Sequence, residues 1–199
     1  MDQPVYNCRP ERKDAAENRQ RILDAALRLF EQHGVEPVSM NQIAAEAQIG
    51  AGTLYRRYRN KNELCLDLIR DPVDQLSKDI TAYLEDNPSM PPSERLRGLL
   101  TLFLQFKEIH AGLIAGVEHS SAALGAHSRT STSLYEEFHQ QLVQLFAEMN
   151  VEDRQSGPDS VFRADMLMIA LSSDSYLFQR NVRGNSQESI LEQLCRTFI

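Results

Sequence analysis

The chain contains no tryptophan, three cysteines and nine glycines among 199 residues. Its longest apolar stretches fall short of the ~20 residues that span a bilayer. The cysteines, Cys8, Cys65 and Cys195, are odd in number and widely separated. No CxxC or Cys/His spacing occurs, so neither a disulfide framework nor a zinc site is expected. The opening segment, MDQPVYNCRPERKDAAENRQ, has no apolar signal core, which leaves the cytoplasm as the expected compartment. There is no G-x-S-x-G elbow, P-loop, Gly-rich dinucleotide fingerprint or His/carboxylate metal cluster. No catalytic residue, metal or cofactor is therefore expected, and an enzyme is the poorest reading. Alternating β-branched runs flanked by hairpin turns are missing too, which disfavours a sheet.

What remains is an ordinary soluble composition, 42% hydrophobic and 25% charged, sufficient for one or two domains. The formal net charge is -7, but it is unevenly spread. Residues 1–65 carry 10 Lys+Arg against 9 Asp+Glu, whereas the rest carries 11 against 19. The asymmetry points to two parts with different partners. The most cationic stretch is TLYRRYRNK, Thr53 to Lys61.

The periodicity is helical throughout. Residues 1–13, with Pro4 and Pro10, read as an arm of little fixed structure. A first helix is expected from Asp14, where Asp14 and Glu17 have capping-box spacing. Leu23, Ala26, Leu27 and Phe30 give it one apolar face, and Gly34 stops it. Ser39 and Gln42 form a second capping box before MNQIAAEA. A break at Gln48-Ile49-Gly50 precedes a third short helix, and a fourth begins at Lys61-Asn62. Pro72 lies inside the fourth and is expected to kink it or end its first half. NPSMPPSE, residues 87–94, reads as a linker by composition. Further helices are expected at about 92–118, 125–149, 159–183 and 187–198, with SGPD (156–159) the strongest break between them.

Two late segments bear on assembly. MLMIAL, Met166 to Leu171, is apolar on every side and must be covered all round. Ile190, Leu191, Leu194, Cys195 and Phe198 form a narrow stripe on the last helix. The stripe fits packing within one subunit as well as a symmetric dimer built from the last two helices.

Residues 40–58 meet the steric requirements of a helix-turn-helix. Ile43 and Ala47 face inward, Ala44 is small at the crossing, Ile49 plugs the turn, and Leu54 and Tyr58 lock the second helix. Gly52, Thr53, Tyr55 and Arg56 are left pointing away, a face suited to a DNA major groove. Gly50, Ala51 and Gly52 permit close backbone approach, and a helix N-terminus attracts phosphate. Thr53 offers a hydroxyl to a base edge and a methyl to thymine. Arg56 is placed to read guanine or clamp a phosphate, and Tyr55 to reach a phosphate with its hydroxyl. Arg57, Arg59 and Lys61 are placed to pin the flanking backbone, with Ser39 and Asn41 across the groove.

The segment RILDAALRLFEQHGVEPVSMNQIAAEAQIGAGTLYRRYRNKNEL, Arg21 to Leu64, resembles the tetracycline-repressor-like (TetR) family of transcription regulators. Its parts are the ILDAAL-LF-HG helix, the S-x-x-x-IA-EA helix and GTLYRRY-NK-EL. Two departures stand out: Gln48 where the family's turn usually has glycine, and Gly50-Ala51 where it often has serine and a polar residue. The resemblance implies an all-α chain. An N-terminal three-helix helix-turn-helix DNA-binding domain (14–62) would precede a C-terminal helical ligand-binding and dimerisation domain (63–199). It further implies a homodimer on a palindromic double-stranded operator, most simply a repressor released when a small effector binds and the fourth helix moves.

For the effector, the pocket-lining candidates are Phe103, Phe106, His110, His119, Tyr135, Phe138, His139, Phe162, Met166 and Tyr176. Their aromatic and thioether character suits an apolar or aromatic molecule. The acidic balance of that half suits a neutral or cationic one. The competing reading is a helical ligand-sequestering or interaction protein whose helix-turn-helix no longer reads DNA. Specific, salt-sensitive binding of duplex DNA separates the two.

Overall fold

A computed structural model describes residues 9–124, 129–153 and 159–199, with side chains described for 15–115, 135–151 and 159–199. Among these residues there are nine α-helices, one short π-helical segment and no strand. The helices are α1 (Arg9–His33), α2 (Met40–Glu46), α3 (Ala51–Arg57), α4 (Lys61–Asp86) and α5 (Pro92–Leu124). They continue with α6 (Arg129–Asp153), α7 (Ser160–Ala170) and α8 (Ser173–Leu177). The π-helical segment Phe178–Val182 and α9 (Gln187–Phe198) complete the chain. It divides into two compact units, Met1–Leu68 and Ile69–Ile199.

Unit 1 packs α1 to α3 and the start of α4 around Ile22, Ala26, Phe30, Ile43, Leu54 and Leu64. Helix α1 runs Arg9–His33, so Asp14 and Glu17 lie inside the helix rather than at its start. Pro10 explains the earlier start: in a helix's first turn its missing N–H removes no intrahelical bond. Gly34 ends α1 with φ +79°, and its N–H reaches the Phe30 carbonyl at 2.8 Å. On α1, Ile22 is fully buried while Leu27 is exposed, so the apolar face is turned slightly from the expected one.

Unit 2 is built on α5, which packs against α6, α8 and α9. The stretch Pro92–Ala115 is long and apolar enough, by length and composition alone, to cross a membrane. In the fold it is a core helix, with Leu96, Leu99, Leu100 and Leu104 in one cluster with Phe138, Phe146, Leu167 and Tyr176. The segment Asn87–Pro91 is not an interdomain linker but a turn joining two helices that both contribute to this cluster. Pro72 does not end α4, which runs unbroken from Lys61 to Asp86. The helix expected over 159–183 is divided at Ser172, whose hydroxyl caps α8 by accepting from the Ser175 N–H at 3.3 Å. Of the SGPD break, 156–158 lie outside the described residues, and Asp159 is the N-cap of α7.

The late apolar segments resolve differently from each other. The α9 stripe faces its own subunit: Ile190 and Cys195 belong to the core, and Leu191, Leu194 and Phe198 pack against it. Helix α7, expected to be covered all round, is left bare on its outer side by the described residues of its own chain. Phe162 is 57% exposed and Ile169 63%. A lysine is also buried in this core. Lys107 is 1% exposed and its Nζ donates to the Ser173 Oγ at 2.6 Å, with the Phe103 ring 5.6 Å away.

Candidate nucleic-acid interface

The helix-turn-helix is assembled by complementary local devices. Ser39 and Gln42 form the reciprocal capping box that starts α2: the Ser39 N–H donates to Gln42 Oε1 at 2.8 Å, and Ser39 Oγ accepts from the Gln42 N–H at 3.3 Å. Helix α2 ends in a Schellman arrangement, with the Gln48 N–H on the Ala45 carbonyl and the Ile49 N–H on the Ala44 carbonyl, both at 3.0 Å. This closure needs a left-handed residue, and Gln48 supplies it at φ 54°. A side chain there costs about 1 kcal/mol relative to glycine. Arg21 offsets part of that by donating to the carbonyls of Ala47 (2.6 Å) and Gln48 (3.1 Å).

Helix α3 follows with Leu54 as its buried residue, and Tyr58, its C-cap, is 5% exposed. These two inward anchors turn Gly52, Tyr55 and Arg56 outward, at i, i+3 and i+4. Gly50, Ala51 and Arg57 are exposed as well, and Thr53 is half-buried. A Cβ on Gly52 would meet nothing within 4 Å, so the protein's own packing does not require glycine there. Neither does its backbone, since the left-handed glycines among the described residues are Gly34 and Gly184. Within a helix glycine costs about 1 kcal/mol against alanine. The open space in front of Gly52 therefore suits a surface brought in from outside.

The cations of this region divide sharply by task. Arg56 is exposed and makes no bond among the described residues. Arg57 reaches the Ala15 carbonyl at 3.3 Å and lies 5.9 Å from the Tyr58 ring. Arg59 is exposed, with its backbone N–H on Glu63 Oε2 at 2.8 Å. Lys61, expected to grip DNA backbone, has a different role. Its Nζ donates to the carbonyls of Val35 (2.6 Å), Glu36 (2.9 Å) and Val38 (3.0 Å). An ammonium has three protons, and all three hold the α1–α2 loop. Ser39 is exposed with its hydroxyl on Gln42, and Asn41 is exposed.

Two residues that matter here have no local sequence signal. Asp67, on α4, accepts from Arg19 Nε and Nη2, both at 2.8 Å, and from the Tyr58 hydroxyl at 2.5 Å. Burial, and then this bond to Asp67, raises the Tyr58 phenol above its ordinary value. Arg19 and Asp67 stand 48 positions apart, so only the fold pairs them.

In unit 2 the effector candidates do not gather at one cavity. Phe103 and Phe138 stack in the core with centroids 4.6 Å apart, and Phe106 packs against His110 at 4.9 Å. His110 is half-buried, and burial lowers its pKa. Tyr176 is buried with its hydroxyl on the Glu108 carboxylate. His139 contacts Asp165 at 2.8 Å, Tyr135 is half-buried, and Phe162 and Met166 are exposed on α7. His119 lies outside the described side chains. An open cavity of about 420 Å³, lined by Leu104, Tyr176, Gln179, Asn185, Ile190 and Phe198 among others, includes Tyr176 alone of these candidates.

Comparison with known proteins meets this geometry. The family described as bacterial regulatory proteins, tetR family, matches residues 22–68. An HTH-type transcriptional regulator of Staphylococcus aureus strain MRSA252 is 34% identical over 191 residues, covering 94% of this chain and 96% of the relative. Among solved structures, AibR in complex with isovaleryl coenzyme A and operator DNA aligns with TM-score 0.65 and 19% identity, over 91% of this chain and 97% of AibR. The TetR-family repressor FadR of Thermus thermophilus, in complex with lauroyl-CoA, aligns with TM-score 0.61 and 17% identity, over 90% and 92%.

Proposed function

Because the chain belongs to the TetR family of bacterial regulatory proteins, we propose that this DNA-binding transcriptional regulator is a repressor, released from a palindromic operator when a small molecule binds unit 2. The observation that carries DNA reading is the outward face of α3, with Gly52, Tyr55 and Arg56 held there by Leu54 and Tyr58 on the opposite side. Unit 1, up to Leu68, acts as the DNA-binding domain and unit 2, from Ile69, as the effector and dimerisation domain. Gly50, Ala51 and Gly52 admit the backbone closely, Thr53 and Arg56 read bases, and Tyr55, Arg57, Ser39 and Asn41 hold phosphates. Such a regulator works in the cytoplasm, where its DNA is, and has no catalytic step.

The effector is an apolar or aromatic molecule. The apolar acyl chains of the coenzyme A thioesters bound by AibR and by Thermus FadR support this. The functional unit is a homodimer. Phe162, Met166 and Ile169 form one exposed apolar face on α7, which a second copy covers. Since α9 uses its stripe inside the subunit, α7 supplies most of the apolar contact.

In vitro selection of duplex DNA, followed by affinity measurement over a range of salt, tests the regulator. A selected palindrome bound far more tightly than scrambled DNA is expected; equal affinity for both at physiological salt sinks specific regulation. Sedimentation is expected at twice the 22.6 kDa chain mass, and a monomer at micromolar concentration rules out the α7 interface.

A further inference from the structure

Helix α3 has seven residues, and its one buried side chain is Leu54. A single apolar anchor fixes position but not attitude, because apolar contact has no directional preference. Base reading needs attitude, since a hydrogen bond weakens steeply as its angle departs from linear. The chain beyond α3 offers little help: Tyr58 is already extended at φ -128°, ψ 114°, and Arg59 and Asn60 connect it to α4. On the exposed side, the Arg57 contact with the Ala15 carbonyl is long, at 3.3 Å. A second, directional anchor exists at the other end of the helix. The Tyr58 hydroxyl donates to Asp67 Oδ2 at 2.5 Å, and Arg19 grips both oxygens of the same carboxylate at 2.8 Å.

We propose that Asp67 is a positioning residue for DNA reading: its carboxylate ties the C-terminal end of the recognition helix to α4 and α1 and so sets the angle at which α3 presents Thr53 and Arg56. This rests on the DNA-binding reading above. The arrangement is suited to the task. The Asp67 side chain is 10% exposed, so water competes weakly for its oxygens. Bidentate Arg–carboxylate pairs combine strength with fixed geometry, and Arg19 therefore holds the carboxylate in one orientation for Tyr58 to meet. Asp67 is remote in role from the cations that face solvent on α3. Removing it alters how the helix is held without removing a phosphate contact.

The test uses the full chain, a duplex obtained by selection against it, and a scrambled duplex of equal length. Tyr58→Phe, Asp67→Asn and the double variant are compared with the parent at one salt concentration, well below each melting midpoint. Each single change is expected to weaken binding to the selected duplex at least tenfold while affinity for the scrambled duplex stays within about twofold, since the phosphate-facing cations are intact. The double variant is expected to bind no worse than the weaker single, because both remove one link. An unchanged affinity for the selected duplex, with only the melting temperature lowered, overturns the proposal and leaves the triad a stabilising contact. If Asp67→Asn does not fold, Tyr58→Phe decides alone, as it deletes one oxygen and leaves the ring in the core; an unchanged affinity then overturns the proposal. A parent chain that cannot separate selected from scrambled DNA removes the DNA-binding reading itself, and this proposal with it.

Discussion

Lys61 and Arg56 are cations five residues apart in one basic stretch, and the structure predicts opposite consequences for losing them. Lys61→Met keeps most of the aliphatic stem and deletes the ammonium. It removes three hydrogen bonds, at 2.6, 2.9 and 3.0 Å, to the Val35, Glu36 and Val38 carbonyls. A bond from a charged group contributes about 1.5–3 kcal/mol when buried. Lys61 is half-buried and the Glu36 contact is exposed, so water replaces part of the loss. A net destabilisation of about 2–3 kcal/mol follows, or about 4–12 °C in melting temperature for a chain of this size. Arg56→Ala touches nothing inside the protein and should move stability by no more than about 0.5 kcal/mol. DNA binding inverts the order. At a temperature where both variants are folded, Lys61→Met should leave the slope of log affinity against log salt unchanged. Arg56→Ala, which loses a base contact, should weaken binding to a selected duplex by about 1–3 kcal/mol per half-site and narrow its margin over scrambled DNA. Calorimetry and a salt titration of fluorescence anisotropy give the two readouts. A Lys61→Met variant that melts like the parent but flattens the salt slope would refute the assignment of Lys61 to the loop.

Gly98 sits beneath Tyr83, and a Cβ added there would overlap the hydroxyl oxygen and the ring carbon bearing it. Gly98→Ala gains about 1 kcal/mol in helix propensity but must push the Tyr83 ring aside, so it should be neutral or cost up to about 2 kcal/mol in chemical denaturation, whereas in a Tyr83→Ala background the same change should stabilise. Glu108 is held below the usual carboxylate range, first by Arg180 and then by Tyr176. A depressed carboxyl adds stability above its unfolded pKa and loses it as the pH falls through the folded value. Glu108→Gln should then lower the melting temperature at neutral pH and flatten its decline below about pH 4.3, as thermal melts across pH will show. Burial pushes the Cys65 thiol up to about 11 and raises that of Cys195 too. At pH 8 a thiol reagent should leave both unmodified until denaturant is added, and rapid labelling of either in the native protein contradicts the packing.

The helix-turn-helix is readable in the sequence because its determinants are local. Capping by Ser39 and Gln42 spans three residues, the stop at Gly34 depends on one, and the pairing of Leu54 with Tyr58 spans one turn. Even the departure at Gln48 is legible, since the turn demands a left-handed residue whatever occupies it. Lys61 misleads because a cation beside other cations looks the same whether its partners are phosphates or carbonyls 23 to 26 positions away. Arg19 and Asp67 carry no signal for the same reason. The effector candidates fare differently. Aromatic residues at helical spacing are needed by any helical core, and the fold puts Phe103 and Phe138 in its interior but Phe162 at its surface.

The two late helices show where pattern reading stops. By periodicity the α9 stripe fits its own subunit and a second one equally well, and α7, apolar on every side, needs cover all round. The fold separates them. Helix α9 is amphipathic because half of it closes the core and the rest faces outward with Glu192, Gln193 and Arg196. Helix α7 is apolar on both sides because its inner face, with Ala164 and Leu167 at 0% exposure, serves the same core, and its outer face, with Phe162 and Ile169, has no cover within the described residues. An amphipathic pattern marks a helix with one apolar environment; a helix apolar all round needs two, and the second need not be in the same chain. Replacing outer residues therefore separates the two needs. Ile169→Glu should leave the melting of dilute protein nearly unchanged if α7 faces solvent in the monomer, yet shift sedimentation from dimer to monomer. If instead it abolishes cooperative melting at every concentration, the outer face of α7 belongs to the subunit's own core and the proposed interface must lie elsewhere.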